Sequence, residues 1–245
     1  MNNMSDHFST QALTHYYKTL HNDSNIPDQH VDYLHKIEQH FNIKPNVIYD
    51  IGAAVLHWTK SAKKVWKDSK IIAFEAVREV EDFYKEYGID YEIGVFSDTD
   101  NKELTFYEHP IYLGGNSYYK ESSKFSAAAE KIYDAAHESQ RITKTIDSVV
   151  ASRNFPLPDL IKIDVQGAEL DVLNGMKNTI KSVKHIIIEL QHVEYNIGAR
   201  LVGDSIPFIE SLGFQLVQPS RANPSILQNY FCGNGPDCDY HFMRV

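Results

Sequence analysis

Residues 46–53 read NVIYDIGA. The apolar run Val47-Ile48-Tyr49 ends on Asp50, and Gly52 follows two residues later. That is a buried strand running into a tight turn, with a carboxylate at the strand's end. Glycine at such a turn lets the backbone approach a ligand closely. In an open α/β sheet, ligands bind just outside the carboxyl ends of the strands. Residues 70–75, KIIAFE, repeat the form, an apolar strand ending in an acid. Two such strands joined by a helix-length segment make the nucleotide half-site of a Rossmann-like domain. The acid of the second strand, Glu75, is then placed to accept hydrogen bonds from ribose hydroxyls.

The kind of nucleotide is narrowed by what is missing. A dinucleotide site uses G-x-G-x-x-G to hold a pyrophosphate on backbone amides and a helix N-terminus. Counted from Gly52, the next two glycine positions carry Ala54 and His57. An aspartate at the strand end is a poor neighbour for a diphosphate and a good one for the ammonium of a methionine moiety. Asp-x-Gly therefore favours S-adenosylmethionine over NAD. A Rossmann strand that binds no ligand is the plain alternative.

Working outward, strands are expected at Val47–Asp50, Ile71–Glu75, Tyr91–Phe96, Leu104–His109, Leu160–Val165, Ile186–Gln191, Phe214–Pro219 and Tyr240–Val245. Helices are expected near 56–67, 77–87, 168–180 and 203–212, the last closed by Gly213 at the position after its C-cap. Alternating strands and helices argue for a parallel sheet, and the long Pro/Gly/Asn-rich final connection argues for an antiparallel edge hairpin. Residues 97–147 break the alternation. After the turn cluster SDTDN comes the strand LTFYEH, then the glycine-rich LGGNSYY (113–119), then an Ala-rich helix from Ser123 to Ser139. Long inserts at a ligand edge usually act as lids. Residues 1–45 read as a helical cap, with Val31, Leu34, Ile37 and Phe41 on one face of HVDYLHKIEQHF. Four of its histidines, His21, His30, His35 and His40, lack the i, i+4 spacing of a helical metal pair and read as a solvated face.

A second cluster lies at 159–169, DLIKIDVQGAE, where a buried strand ends at Asp164 and a turn at Gly167 opens a helix. Glu169 falls in the first helical turn, where the dipole favours a carboxylate. The next strand, HIIIELQ (185–191), ends with Glu189 and Gln191 on one side, and His192, Glu194, Tyr195 and Asn196 follow. Neighbouring strands lie about 5 Å apart, so Asp164 and Glu189 are expected to converge at the rim. Three readings stay open. The carboxylates bind a hard divalent cation that acidifies an acceptor hydroxyl; one of them is a general base raised by its like-charged neighbour; or they only bind sugar hydroxyls and backbone amides.

The 245 residues carry a formal charge of −9 and no Lys/Arg run, which argues against a nucleic-acid binder. No stretch of 18 apolar residues offers a membrane span, and the first residues lack a signal-peptide pattern. The two cysteines, Cys232 and Cys238, are spaced so that a disulfide is sterically possible, but reduced thiols of a cytoplasmic chain are the plainer reading.

DIGA, FEA, TIDSVV, LIKIDVQGAELDVLNGM and IIIELQHVEYN together resemble the FkbM family of S-adenosylmethionine-dependent methyltransferases, in order from Asn46 to Val245. The resemblance implies a class I methyltransferase fold and O-methylation, typically of sugars or hydroxylated natural products. Family members usually have N-x-G after DIGA, where Ala54-Val55-Leu56 stands here, and FEP where Phe74-Glu75-Ala76 stands. The expected fold is thus a mostly parallel seven-stranded sheet with an antiparallel edge hairpin, a helical cap over 1–45 and an insert at about 97–147. The expected activity is methylation of a carbohydrate or glycoconjugate hydroxyl. The alternatives are a small non-sugar hydroxylated metabolite as acceptor, or a binding module without turnover. Asp50, Gly52, Ala53, Glu75, Ala76, Val95, Phe96, Ser97, Asn116, Ser117 and Asp164 are expected around the methyl donor. Asp164, Glu189 and His192 are expected to face the acceptor. A divalent metal is left open, with no ligand set assigned to it.

Overall fold

A computed structural model of the chain describes residues 28–108, 113–122, 137–217 and 237–245. The chain enters through helix α1 (Asp28–Phe41) and strand β1 (Val47–Ile51), then α2 (His57–Val65), β2 (Lys70–Glu75), α3 (Glu81–Tyr87) and β3 (Asp90–Ile93). After the insert come α4 (Ile146–Arg153), β7 (Leu160–Ile163), α5 (Glu169–Asn174), β8 (His185–Gln191), α6 (Val202–Ser211), β9 (Phe214–Leu216) and β10 (Asp237–Arg244). The main sheet has seven strands in the order β3-β2-β1-β7-β8-β10-β9. Five are parallel, and β10 runs antiparallel to both β8 and β9. This is the expected class I methyltransferase sheet. The order reverses direction between β1 and β7, and that switch point is where open α/β sheets bind ligands.

The apolar runs conceal an alternation that decides the site. Tyr49, Ile51, Ile72, Phe74, Ile161, Ile163, Ile186 and Ile188 face one side and form the larger core with α4, α5 and α6. Ile48, Ile71, Leu160 and Ile187 face the other side, where Tyr33, Leu34 and Ile37 of α1 pack with Trp58 and Trp66. Burying each such α1 side chain contributes about 1.5–3 kcal/mol, so α1 forms part of the layer on that face. Toward the carboxyl ends this second face turns ionic, with Asp50, Glu75 and Lys162 all buried.

The insert departs from expectation. Gly94 ends β3, and the next strand, β4 (Val95–Phe96), leaves the main sheet to pair in parallel with β6 (His137–Lys144). β5 (Glu103–Glu108) completes a separate sheet in the order β4-β6-β5. The expected single strand over 91–96 is therefore two strands in two sheets. Residues 137–139 begin β6 rather than end a helix. The remainder of that expected helix, His21, His109, residues 218–236 and Cys232 lie outside the described residues. Cys238, buried on β10, is disulfide-bonded, where the sequence suggests a free thiol. The helix expected over 168–180 ends at Asn174 and resumes as a 3-10 turn at Thr179–Ser182. Among the described residues no helix is long and apolar enough to cross a membrane.

Candidate active site

Gly52, the first residue beyond β1, takes φ +85°. Its amide and that of Ala53 both donate to the Phe74 carbonyl, at 2.9 and 3.2 Å. A Cβ added there would stand 1.8 Å from the Asp164 carbonyl oxygen. The β1 and β7 turns are thus in backbone contact across the switch point. The loop goes on through Ala54 and Leu56 with φ 44° and 67°. These are the positions at which the family pattern has Asn and Gly, residues that tolerate left-handed backbone. Here Ala54 and Leu56 adopt left-handed backbone without that tolerance.

Glu75 ends β2 and anchors that loop. Its Oε2 accepts from the Ala54 amide at 2.8 Å. Its Oε1 accepts from the amides of Ala76 and Val77 at 2.8 and 3.0 Å. A carboxylate offers about four acceptor positions, so one stays open toward the cavity. Burial raises its pKa, against the three amides that lower it. The Tyr84 hydroxyl donates to the Ala54 carbonyl at 2.6 Å, fixing the loop from the other side.

These elements border a cavity of about 260 Å³. Gly52, Glu75 and Ala76 form one wall, Val95, Phe96 and Phe106 an apolar wall, and Asn116, Ser117 and Tyr118 a third. The third wall belongs to the insert. Ser117 exchanges backbone hydrogen bonds with Tyr107 of β5, at 2.8 and 3.2 Å. The hydroxyls of Tyr118 and Tyr119 both donate to Asp171 Oδ2 of α5, at 3.0 and 2.8 Å. The glycine-rich stretch is therefore strapped to the main sheet's helix and walls the cavity.

Asp164 and Glu189 close the remaining side. Gln166, itself left-handed at φ 55°, donates through Nε2 to Asp164 Oδ1 at 3.1 Å and to Glu189 Oε2 at 2.8 Å. Burial and the Asp164 charge push Glu189 well above the usual carboxylate range. For Asp164, burial acts upward too, but the Lys162 ammonium and the hydrogen bonds from Glu189 and Gln166 outweigh it and hold the pKa low. The surroundings thus favour the charged form of Asp164 and the neutral form of Glu189. Glu169 does not join them: its Oε1 accepts from the Val165 and Gly167 amides at 3.1 and 3.0 Å, holding the turn.

Of the residues singled out in the sequence, Gly52, Glu75, Ala76, Val95, Phe96, Asn116, Ser117, Asp164 and Glu189 border one cavity. Ala53 is buried in an apolar cluster with Val77, Phe83 and Tyr84 and does not border it. Ser97 lies behind the wall, its amide donating to the Lys144 carbonyl at 3.0 Å and its hydroxyl within hydrogen-bond distance of the Tyr118 oxygen at 3.2 Å. His192 is exposed, with Nε2 against the Tyr240 hydroxyl at 2.9 Å, and it too stands off the cavity. Asp50 sits level with Lys162 and Ala73. That is two residues, about 6.6 Å of strand, below the level of Asp164 and Glu75. It is 1% exposed and accepts from Thr59 Oγ1 at 2.5 Å. The sequence reading did not single out Gln166, Phe106 and Tyr118, which border the cavity, or Lys162 and Asp239 beneath it. The adjacent Tyr118 and Tyr119 and the charge inside LIKID were the available signals. Among the described residues no group of three or more His, Cys, Asp or Glu side chains is arranged to hold a metal.

Burial raises the Asp50 pKa from 3.8 to about 7. A carboxyl raised on folding contributes stability in full below its unfolded pKa and loses it as pH rises through the folded one. Asp50→Asn keeps an acceptor for Thr59 and removes that loss. Its stability relative to the parent should therefore rise steadily between roughly pH 4 and pH 8, as read by urea unfolding at a series of pH values. His185 and His241, lowered by burial to about 4 and about 3, pull stability the opposite way in both proteins and cancel in the difference. A difference independent of pH would refute the buried-acid assignment.

Three comparisons bear on the chain. The model of the Methyltransferase FkbM domain matches residues 50–216. Hexuronic acid methyltransferase AglP of Haloferax volcanii is 40% identical over 65 residues, 26% of this chain and 27% of that protein. Methyltransferase 1 of Beauveria bassiana is 25% identical over 185 residues, 65% of this chain and 73% of that protein. Among solved structures, human N-acetylserotonin methyltransferase in complex with SAM superposes with a TM-score of 0.48 at 10% identity, over 96% of this chain and 56% of that one.

Proposed function

The chain belongs to the FkbM methyltransferase family, and from that premise we propose that it methylates a hydroxyl oxygen of a carbohydrate or glycoconjugate, with S-adenosylmethionine as donor. The observation that carries the reading is the shared cavity: the Asp164–Glu189 pair borders the same space as the Gly52 turn and Glu75. Glu75 fits a ribose because one acceptor position stays open after its three amide bonds. The wall of Val95, Phe96 and Phe106 fits a flat apolar ring. Gly52 brings bare backbone to the donor's amino-acid end.

Bound there, the donor supplies a sulfonium methyl: the oxygen–carbon bond forms as the sulfur–carbon bond breaks, and the sulfur keeps the electron pair. The chain's part is alignment of the acceptor oxygen and removal of its proton. Asp164, held ionised, accepts that proton at a carboxylate oxygen. Glu189 and Gln166 donate toward Asp164 and fix its plane. The carbohydrate half of the reading leans on this polar rim and on the likeness to a hexuronic acid methyltransferase over 65 residues.

Calorimetry tests the donor half. S-adenosylhomocysteine should bind with micromolar-range affinity, about −8 kcal/mol, and NAD should not bind. Glu75→Gln should weaken it by about 1–3 kcal/mol, because an amide cannot serve the three loop amides and a ribose together. NAD binding without adenosyl binding would overturn the proposal. Methyl transfer to amines and to no hydroxylated sugar in an acceptor panel would overturn its other half.

A further inference from the structure

Lys162 is the second residue before Asp164 on β7, in the middle of an apolar strand, and it is 3% exposed. A buried ammonium with so little access to water must be paired. Its Nζ donates to Asp239 Oδ1 on β10 at 2.8 Å and to Asp164 Oδ2 at 3.3 Å. Asp239 is 9% exposed on its side chain and Asp164 is 35% exposed. The network therefore has a buried end and an end open to the cavity, with Lys162 between them. Asp239 is 77 residues from Lys162 in sequence, so only the antiparallel return of β10 beside β8 brings it there.

We propose that Lys162 is a positioning residue for methyl transfer: tied from below by Asp239, its ammonium holds Asp164 as the ionised member of the rim pair, so that Asp164 is the group that takes the acceptor's proton. This rests on the reading of Asp164 as the proton acceptor. Lys162 touches neither substrate nor donor and acts through Asp164 alone.

The geometry supplies the asymmetry. Asp164 and Glu189 share one hydrogen-bond bridge, Gln166, and so are matched from above. From below, only Asp164 has the ammonium in contact. The other ionisable groups around the pair are mostly acids. Asp237 and Asp239 face it from β10, with His192 near Asp237. Asp50 and Glu75 face it from β1 and β2, and Glu169 from α5. Tyr33 of α1 is close to Lys162 and Asp239. With so many carboxylates in one place, a single fixed cation decides where the negative charge settles. Burial works to strip Lys162 of its proton, but Asp164, Asp239 and Glu189 more than reverse that and keep it charged.

Carbon-13 NMR titration of the side-chain carboxyls reads the outcome on the full chain, with no donor or acceptor present. Failure of methyl transfer and failure of this inference are therefore separate results. In the parent, Asp164 should titrate below the ordinary aspartate value and Glu189 above the ordinary glutamate value. In Lys162→Met, Asp164 should rise by about one unit or more, the size of effect an opposite charge in contact exerts. Should that variant not fold, the Lys162→Met/Asp239→Asn double variant removes both members of the buried pair, so that Asp239 is not left as an uncompensated buried carboxylate; a rise in the same direction is expected. Asp239→Asn releases the ammonium to Asp164 alone, so Asp164 should fall or stay. Asp164 within about 0.3 unit of the parent in a folded Lys162→Met or double variant overturns the inference. So does a rise in Asp239→Asn. A lysine that only braces the fold would leave Asp164 titrating as in the parent once the variant is folded.

Discussion

Asp164→Asn should lower turnover by about 100-fold or more, the usual range for losing a positioned base, while S-adenosylhomocysteine affinity changes by less than about 1 kcal/mol. The asparagine side chain is nearly isosteric and its oxygen still accepts from Gln166, while Lys162 loses Asp164 as a partner but keeps Asp239. What it lacks is a site for the acceptor's proton. Glu189→Gln should cost clearly less. Burial and the Asp164 charge favour the neutral form of Glu189, and an amide N–H reproduces the donation of a carboxylic acid toward Asp164. The two variants thus distinguish base from donor. Equal losses in both would mean that the proton is shared, and parental turnover in both would leave the pair as passive hydroxyl binders. Activity removed by a chelator and restored by Mg²⁺ would point to a cation held by the carboxylates, and with it a different role for both.

The main sheet was legible because its strands are short apolar runs with acids or glycines at their ends. β1, β2, β7 and β8 announce themselves that way, and the switch point follows from them. The second sheet was not. β6, HESQRITK, has no apolar face to give it a hydrophobic period: the side it turns inward carries Ser139, Arg141 and Thr143, while its Ile142 is 55% exposed, so its polar first residues read as the end of a helix. β4 was hidden because Tyr91 to Phe96 looks like one strand, and only Gly94 marks where the chain changes sheets. In the site, the rim carboxylates were legible as strand ends. The depth of Asp50 was not legible. Sequence shows that it precedes the turn, but register decides that it lies level with Lys162 rather than Asp164. Lys162 and Asp239 were invisible as a pair, since nothing local links residues that far apart.

Gly52→Ala should destabilise the fold by about 2–5 kcal/mol, combining the left-handed backbone cost with overpacking, and should abolish donor binding. The added Cβ would lie 1.8 Å from the Asp164 carbonyl oxygen and 2.7 Å from its carbon. Both are backbone atoms, and the Asp164 amide is itself fixed to the Ile51 carbonyl at 2.9 Å. No rotamer change relieves the contact, so the β1 and β7 turns must part, and with them Glu75's amide partners and the rim carboxylates. Gly88 supplies the control. It has φ +75° at the end of α3 and nothing within 4 Å of an added Cβ, so Gly88→Ala carries the backbone cost alone, about 1–2 kcal/mol. The difference between the two variants in urea unfolding isolates the contact across the switch point. Equal destabilisation would mean that the two turns move apart freely, and the cavity would then lack the rigid floor on which alignment of an acceptor oxygen depends.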